Sequence, residues 1–115
     1  MTEEQDNQVQ QEINKAINFL GQNKFLEAEN TCLKIINSGD NADAYHILSS
    51  IKIYQQEFED SIKYVKKSIE INDENPGYHV TLGCAYSAKE DYESSVSAFK
   101  SAISRNFLLP VALKC

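Results

Sequence analysis

Arginine is almost missing from this chain, with Arg105 the single one among 115 residues. Without guanidinium forks there is no cluster suited to paired contacts with phosphates. The formal net charge of −6 leaves no basic face from which counterion release could drive binding, so nucleic acid is not an expected partner. Long apolar runs are missing too. The longest, Leu108 to Leu113 with Pro110 inside it, falls short of the roughly 18 residues that a membrane-spanning helix needs. The start, Thr2-Glu3-Glu4-Gln5-Asp6, is acidic and has no apolar core, unlike a secretory signal or a transit peptide, which places the chain in the cytoplasm or nucleus by expectation. Cys32, Cys84 and Cys115 form an odd set without C-x-x-C spacing. That argues against a disulfide framework and against a zinc site, and reduced cysteines are expected. His46 and His79 stand 33 residues apart with no second histidine at helical spacing and no HExxH-type motif. Both read as packing or groove residues, and no metal or cofactor is expected. No set of nucleophile, base and orienting group can be assembled, so the chain does not read as an enzyme.

What is present is an internal repeat. Leu48 precedes Leu82, Ser49 Gly83, Phe58 Tyr92, Ser61 Ser95, Ile62 Val96, Val65 Phe99 and Ile69 Ile103, all by 34 positions. A period of that size belongs to arrays in which each unit buries its apolar face by stacking on its neighbours. An earlier unit pairs Phe25 with Phe58, Cys32 with Val65 and Ile36 with Ile69 at an offset of 33. One residue is missing from the first turn between units, and a loop deletion of that kind costs little.

Taken in order, Thr2-Glu3-Glu4-Gln5 has the form of a capping box, a helix start over residues 1–8. Val9, Ile13, Ala16, Ile17 and Leu20 then recur on a helical period as one apolar stripe. Gly21-Gln22-Asn23-Lys24 interrupts it. Phe25, Ala28, Cys32, Ile35 and Ile36 resume it as far as Gly39, which could end the helix in the left-handed conformation. The second unit carries Ala44, Tyr45, Leu48, Ile51 and Ile53, a polar turn at Gln55-Gln56-Glu57, and a partner helix with Phe58, Ile62, Val65, Ile69 and Ile71. Asn75 is placed to cap the next helix and Pro76 suits its first position. The spacing predicts six helices of about 12 to 18 residues and no strand, an all-α chain in three units at about 9–41, 42–75 and 76–109. Residues 110–115 read as the opening of a fourth unit or a capping segment, because Pro110 follows Pro76 by 34.

Two antiparallel helices on a short turn pack closely only where small side chains meet at the crossing. Ala16, Ser49 and Gly83 mark one such site, and Ala28, Ser61 and Ser95 its counterpart. With Leu82 to Tyr86 in the pattern Leu-Gly-x-x-Tyr, Ser95 small, Phe99 large and Ala102 three further on, the third unit strongly resembles the tetratricopeptide repeat family. The second resembles it well, with Lys52 replacing the usual aromatic, and the first less closely, with Lys15 at the expected leucine site.

The resemblance implies a right-handed α-solenoid whose first helices line a concave groove for an extended peptide or a partner's helix, a non-enzymatic scaffold or chaperone-like adaptor. In the branch that clamps acidic C-terminal peptides, first-helix Lys, Asn and Arg make the grip. Here those positions hold Ile13, Ile17, Ile47, Gly77 and Thr81, so an acidic carboxylate tail is not the expected ligand. The groove-facing set implied is Ile13, Ile17, Leu20, Ile47, Ser50, Ile53, Tyr54, Val80, Cys84 and Ser87, largely apolar or uncharged, with Tyr54 the favoured ligand contact. An apolar or mixed protein segment is the expected partner, with Asn14 and Ser50 setting its register. The apolar C-terminal end, from Phe107 to Leu113, offers a route to a homo-oligomer. A second reading is a substrate-recruiting array of a larger enzyme such as a glycosyltransferase or sulfotransferase.

Overall fold

The computed structural model describes residues 3–105. The expected cap at Thr2 and the readings placed on residues 106–115 lie outside them. Six α-helices follow one another: α1 (Glu3–Gly21), α2 (Phe25–Ser38), α3 (Ala42–Tyr54), α4 (Phe58–Ile71), α5 (Pro76–Ala88) and α6 (Tyr92–Arg105). They pair in order as antiparallel hairpins, α1 with α2, α3 with α4 and α5 with α6.

The hairpins share one turn. Asn23, Gln56 and Glu90 each take a left-handed conformation, with φ of 60°, 62° and 65°. The residue after each closes the preceding helix by donating to a carbonyl five residues back. These bonds run from Lys24 to Phe19, from Glu57 to Lys52 and from Asp91 to Tyr86, at 2.8, 2.8 and 2.9 Å. This is the hydrogen-bond pattern that ends many helices, built here without glycine. Gly39 does not take that conformation. It ends α2 near-extended, at φ 159° and ψ 153°, because the link from Ser38 to Ala42 must lead straight into the next unit. The first helices of the second and third units are capped by asparagine. The Asn41 side chain accepts from the Ala44 N–H, and that of Asn75 from the Gly77 N–H, each at 2.9 Å.

Small residues meet at every crossing, as their spacing requires. Ala16 and Ala28 are fully buried in the first hairpin. In the second, the Ser49 hydroxyl reaches the Ser61 carbonyl at 2.8 Å and its hydroxyl at 2.9 Å. In the third, the Ser95 hydroxyl donates to the Gly83 carbonyl at 2.9 Å. The serines thus satisfy polar groups that close packing has sealed from water. Glycine at 83 has a separate cause, since a Cβ there would lie 2.5 Å from the Phe99 ring.

Between hairpins α2 packs on α3 and α4 on α5, and α3 also touches both α1 and α5. The second helices, α2, α4 and α6, make at most marginal contact with one another. First helices drawn together and second helices held apart bend the stack toward the first helices, which gives the all-α solenoid its inner face. The core runs along the stack through Ile13, Cys32, Leu48, Ile51 and Val65. Polar ties reinforce the packing within and between hairpins. The Ser68 hydroxyl donates to the Ala42 carbonyl at 2.7 Å, Lys89 pairs with Glu59, and the Arg105 guanidinium bonds the Asp73 carbonyl. Lys52, which replaces an aromatic, lies between Glu29 at 3.5 Å and Glu57 at 3.3 Å. Burial disfavours its charge, but the hydrogen bond to Glu57 and the attraction of both carboxylates outweigh that and raise its pKa.

Candidate binding face on the first helices

The inner face is made by α1, α3 and α5 lying side by side. A polar chain joins the last two. Tyr78 donates its hydroxyl to Asp43 at 2.6 Å, His46 Nε2 meets the Thr81 hydroxyl at 2.8 Å, and the His46 and Tyr78 rings lie 5.0 Å apart. Burial, followed by the bond to Asp43, pushes the Tyr78 phenol up from its ordinary range. Burial also lowers the His46 pKa, against the pull of Asp43, so the imidazole is neutral at pH 7 and its link to Thr81 is an uncharged one. These four residues fix the spacing of α3 and α5. In the sequence His46 reads as a groove or packing residue and Thr81 as one of the clamp-equivalent positions, but their link is not legible, because a bond between residues 35 apart has no signature in either helix alone.

Of the expected groove residues, Ile13 and Ile47 are 2% and 6% exposed and belong to the hydrophobic core. Both side chains are packed in the interior, so neither offers surface to a ligand. Leu20, Ser50, Ile53, Val80, Cys84 and Ser87 are half-buried. Ile17 is 50% exposed and Tyr54 is 66% exposed. Ile17 thus leaves the stripe formed by Ile13 and Ala16, because the single step from 16 to 17 turns it about 100° away. Tyr54 stacks on Phe25 with ring centroids 5.3 Å apart, which fixes the ring at the turn end of the face. The Ser50 hydroxyl is spent on the His46 carbonyl at 3.2 Å.

The first helices carry only two cationic side chains among the described residues, Lys15 and Lys52, and Lys52 is held by glutamates. His79 is buried and its Nε2 bonds the Asp73 carbonyl at 2.9 Å. No group of three or more His, Cys, Asp or Glu side chains is placed to hold a metal among the described residues. Cys32 is free and buried, and burial followed by the nearby Glu29 pushes its thiol up to about 12. Cys84 is disulfide-bonded, which departs from the expectation that the cysteines stay reduced.

The tetratricopeptide repeat family matches residues 42–75 and 76–107, more than half of the chain. This chain belongs to the tetratricopeptide repeat family. Its first hairpin is not matched, yet it has the same left-handed turn residue and the same small crossing pair as the other two. Among solved structures, the crystal structure of MamA shares the fold with a TM-score of 0.77 at 20% identity, covering 88% of this chain and 60% of that one. The tetratricopeptide chain therefore spans less than two thirds of MamA's length. No curated protein matches the sequence. No described helix is long and apolar enough to cross a membrane. As a tetratricopeptide array, the chain is a protein-interaction scaffold.

Proposed function

We propose that the chain is a non-enzymatic adaptor that holds an extended or helical segment of a partner protein against the face of α1, α3 and α5. The observation that carries this reading is the chemistry of that face. On these helices Ile17 and Tyr54 are exposed and Leu20, Ser50, Ile53, Val80, Cys84 and Ser87 half-buried, a largely apolar or uncharged set that supports the reading, and the helices lack the paired cations that an acidic tail would need. Affinity would come from apolar area, at about 25 cal/mol per Å² removed from water before the costs of association. Tyr54, already immobilised by Phe25, is an anchor that loses little freedom on binding. Ile13 and Ile47 support this surface from beneath.

Panning a random peptide library tests the reading. Wild-type protein is expected to enrich segments with two or more large apolar side chains, and Ile17→Asp and Tyr54→Ala are expected to lose them. Both sites are exposed, so circular dichroism should show unchanged folding. Enrichment of acidic C-terminal tails, or capture that both variants leave intact, would overturn it.

A further inference from the structure

The outermost helices, α1 and α6, differ in their outer faces. At positions where α3 buries Ala44, Leu48 and Ile51, α1 carries Gln11, Lys15 and Asn18, all exposed. That face is polar, as the outer face of a capping helix is. On α6, Tyr92, Val96, Phe99 and Ile103 stand where α4 has Phe58, Ile62, Val65 and Ile69. The next hairpin covers α4 through α5, and Ile62 and Val65 are 7% and 0% exposed. Tyr92, Val96 and Ile103 are 60%, 51% and 38% exposed. Two exposed charges flank this bare stripe, Glu93 and Lys100, about two helical turns apart. Tyr92, Glu93, Val96, Ser97 and Lys100 line one open depression. The counterparts of the two charges in α4 engage the next hairpin: Glu59 pairs with Lys89, and the Lys66 ammonium stands 5.8 Å from the centre of the Tyr86 ring. Glu93 and Lys100 have no ion pair among the described residues. The charges around them are taken. Lys66, which lines the space between α4 and α6 with Glu93, is turned to Tyr86, Arg105 pairs with Asp73 at 3.4 Å, and Asp91 accepts from the Ser94 N–H at 3.3 Å.

We propose that α6 is the contact between two copies of this chain, packed antiparallel about a two-fold axis that passes beside Ser97. The stripe and the two charges are both centred within one residue of Ser97, so the face is complementary to itself. Tyr92 meets the second copy's Ile103, and Val96 its Phe99. Because Glu93 and Lys100 share one flank, a two-fold axis perpendicular to the helices brings each Glu93 to the second copy's Lys100. The same lysine reaches the Tyr92 ring. One face of a second copy thus supplies both the cation and the ring that Lys89 and Tyr86 supply to α4. Parallel packing would set the charged flanks on opposite sides, and a head-to-tail stack would lay Lys15 and Asn18 on the apolar stripe, where burial of polar groups is costly. This surface goes beyond the first-helix face and does not depend on it.

Sedimentation of the full chain tests the proposal at protein concentrations up to about 1 mM, where even a weak dimer is populated. The wild type is expected to dimerise. Val96→Glu should give a monomer with an unchanged circular dichroism spectrum, since the side chain it replaces is exposed. Glu93→Lys and Lys100→Glu should each weaken the dimer by about two- to thirtyfold, the worth of two exposed ion pairs. Exchanging both charges in one chain should restore it, and mixing the two single variants should restore it as heterodimers. A monomer throughout would overturn the proposal, and a melting temperature lowered by Val96→Glu would then assign the stripe to another part of the same chain. Dimers that Val96→Glu leaves intact, that the double exchange fails to restore, or that Ile17→Asp breaks in place of Val96→Glu would overturn it equally.

Discussion

Gly83→Ala is expected to change sign with the residue it faces. A Cβ at position 83 would stand 2.5, 2.7 and 2.8 Å from Cε1, Cδ1 and Cζ of Phe99, against ordinary carbon contacts of about 3.5–4.0 Å. The ring must therefore retreat by about 1 Å, and overpacking of this kind costs about 1–3 kcal/mol. Replacing a mid-helix glycine by alanine returns about 1 kcal/mol. The net result is a loss of up to about 2 kcal/mol, which lowers the melting temperature by several degrees in a chain of this size. The preceding repeat places Ser49 opposite Val65 at the same positions, so Phe99→Val should make room for the methyl group. In that background Gly83→Ala should instead stabilise by about 1 kcal/mol, its helix propensity no longer opposed. Thermal unfolding of the wild type, both single variants and the double variant, followed by circular dichroism, gives a coupling expected at about 1–3 kcal/mol. Equal stabilisation by Gly83→Ala in both backgrounds would refute the reasoning, because it would mean that the Phe99 ring never confined position 83.

The internal turns should improve when given glycine. Gln56→Gly and Glu90→Gly should each stabilise by about 0.5–1 kcal/mol in urea unfolding, since a left-handed residue with a side chain is strained, whereas Gln55→Gly, at φ −83°, should destabilise by a similar amount. Stability should also fall in mild acid. The folded His46 pKa lies below its ordinary 6.5 because of burial, so the unfolded chain takes up the proton first and stability is lost as pH drops below about 6.5. His46→Gln should flatten the urea midpoint between pH 7.5 and 5.5, and an unchanged slope would remove His46 from the account.

Much of the fold was legible because its determinants are local or strictly periodic. The stripe of Phe58, Ile62, Val65 and Ile69 defines one helix face without knowledge of any neighbour, and Asn75-Pro76 marks a helix start by its own chemistry. The small pairs at 16 and 28, 49 and 61, and 83 and 95 keep one separation because each hairpin has the same turn. The candidate face was less legible. Apolar periodicity says which side of a helix is buried, but Ile13 and Ile17 look alike in sequence, and which of them enters the core depends on where α2 and α3 lie. The bare stripe of α6 was not legible. Tyr92, Val96 and Ile103 align with Phe58, Ile62 and Ile69, but a repeat alignment tests likeness, and the exposure of the later set arises from a difference in neighbours.

The 34-residue period and the placing of large, small and capping residues sufficed to determine an array of helical hairpins, because each choice acts within one helix or across one short turn. Tertiary structure alone decided that Asp43, His46, Tyr78 and Thr81 join two first helices, that Ile47 lies inside while Tyr54 lies outside, and that Leu48 is fully buried while its counterpart Leu82 is not. Those outcomes depend on the distances between helices. Such distances follow from the packing of every side chain in the stack together, which no single segment encodes.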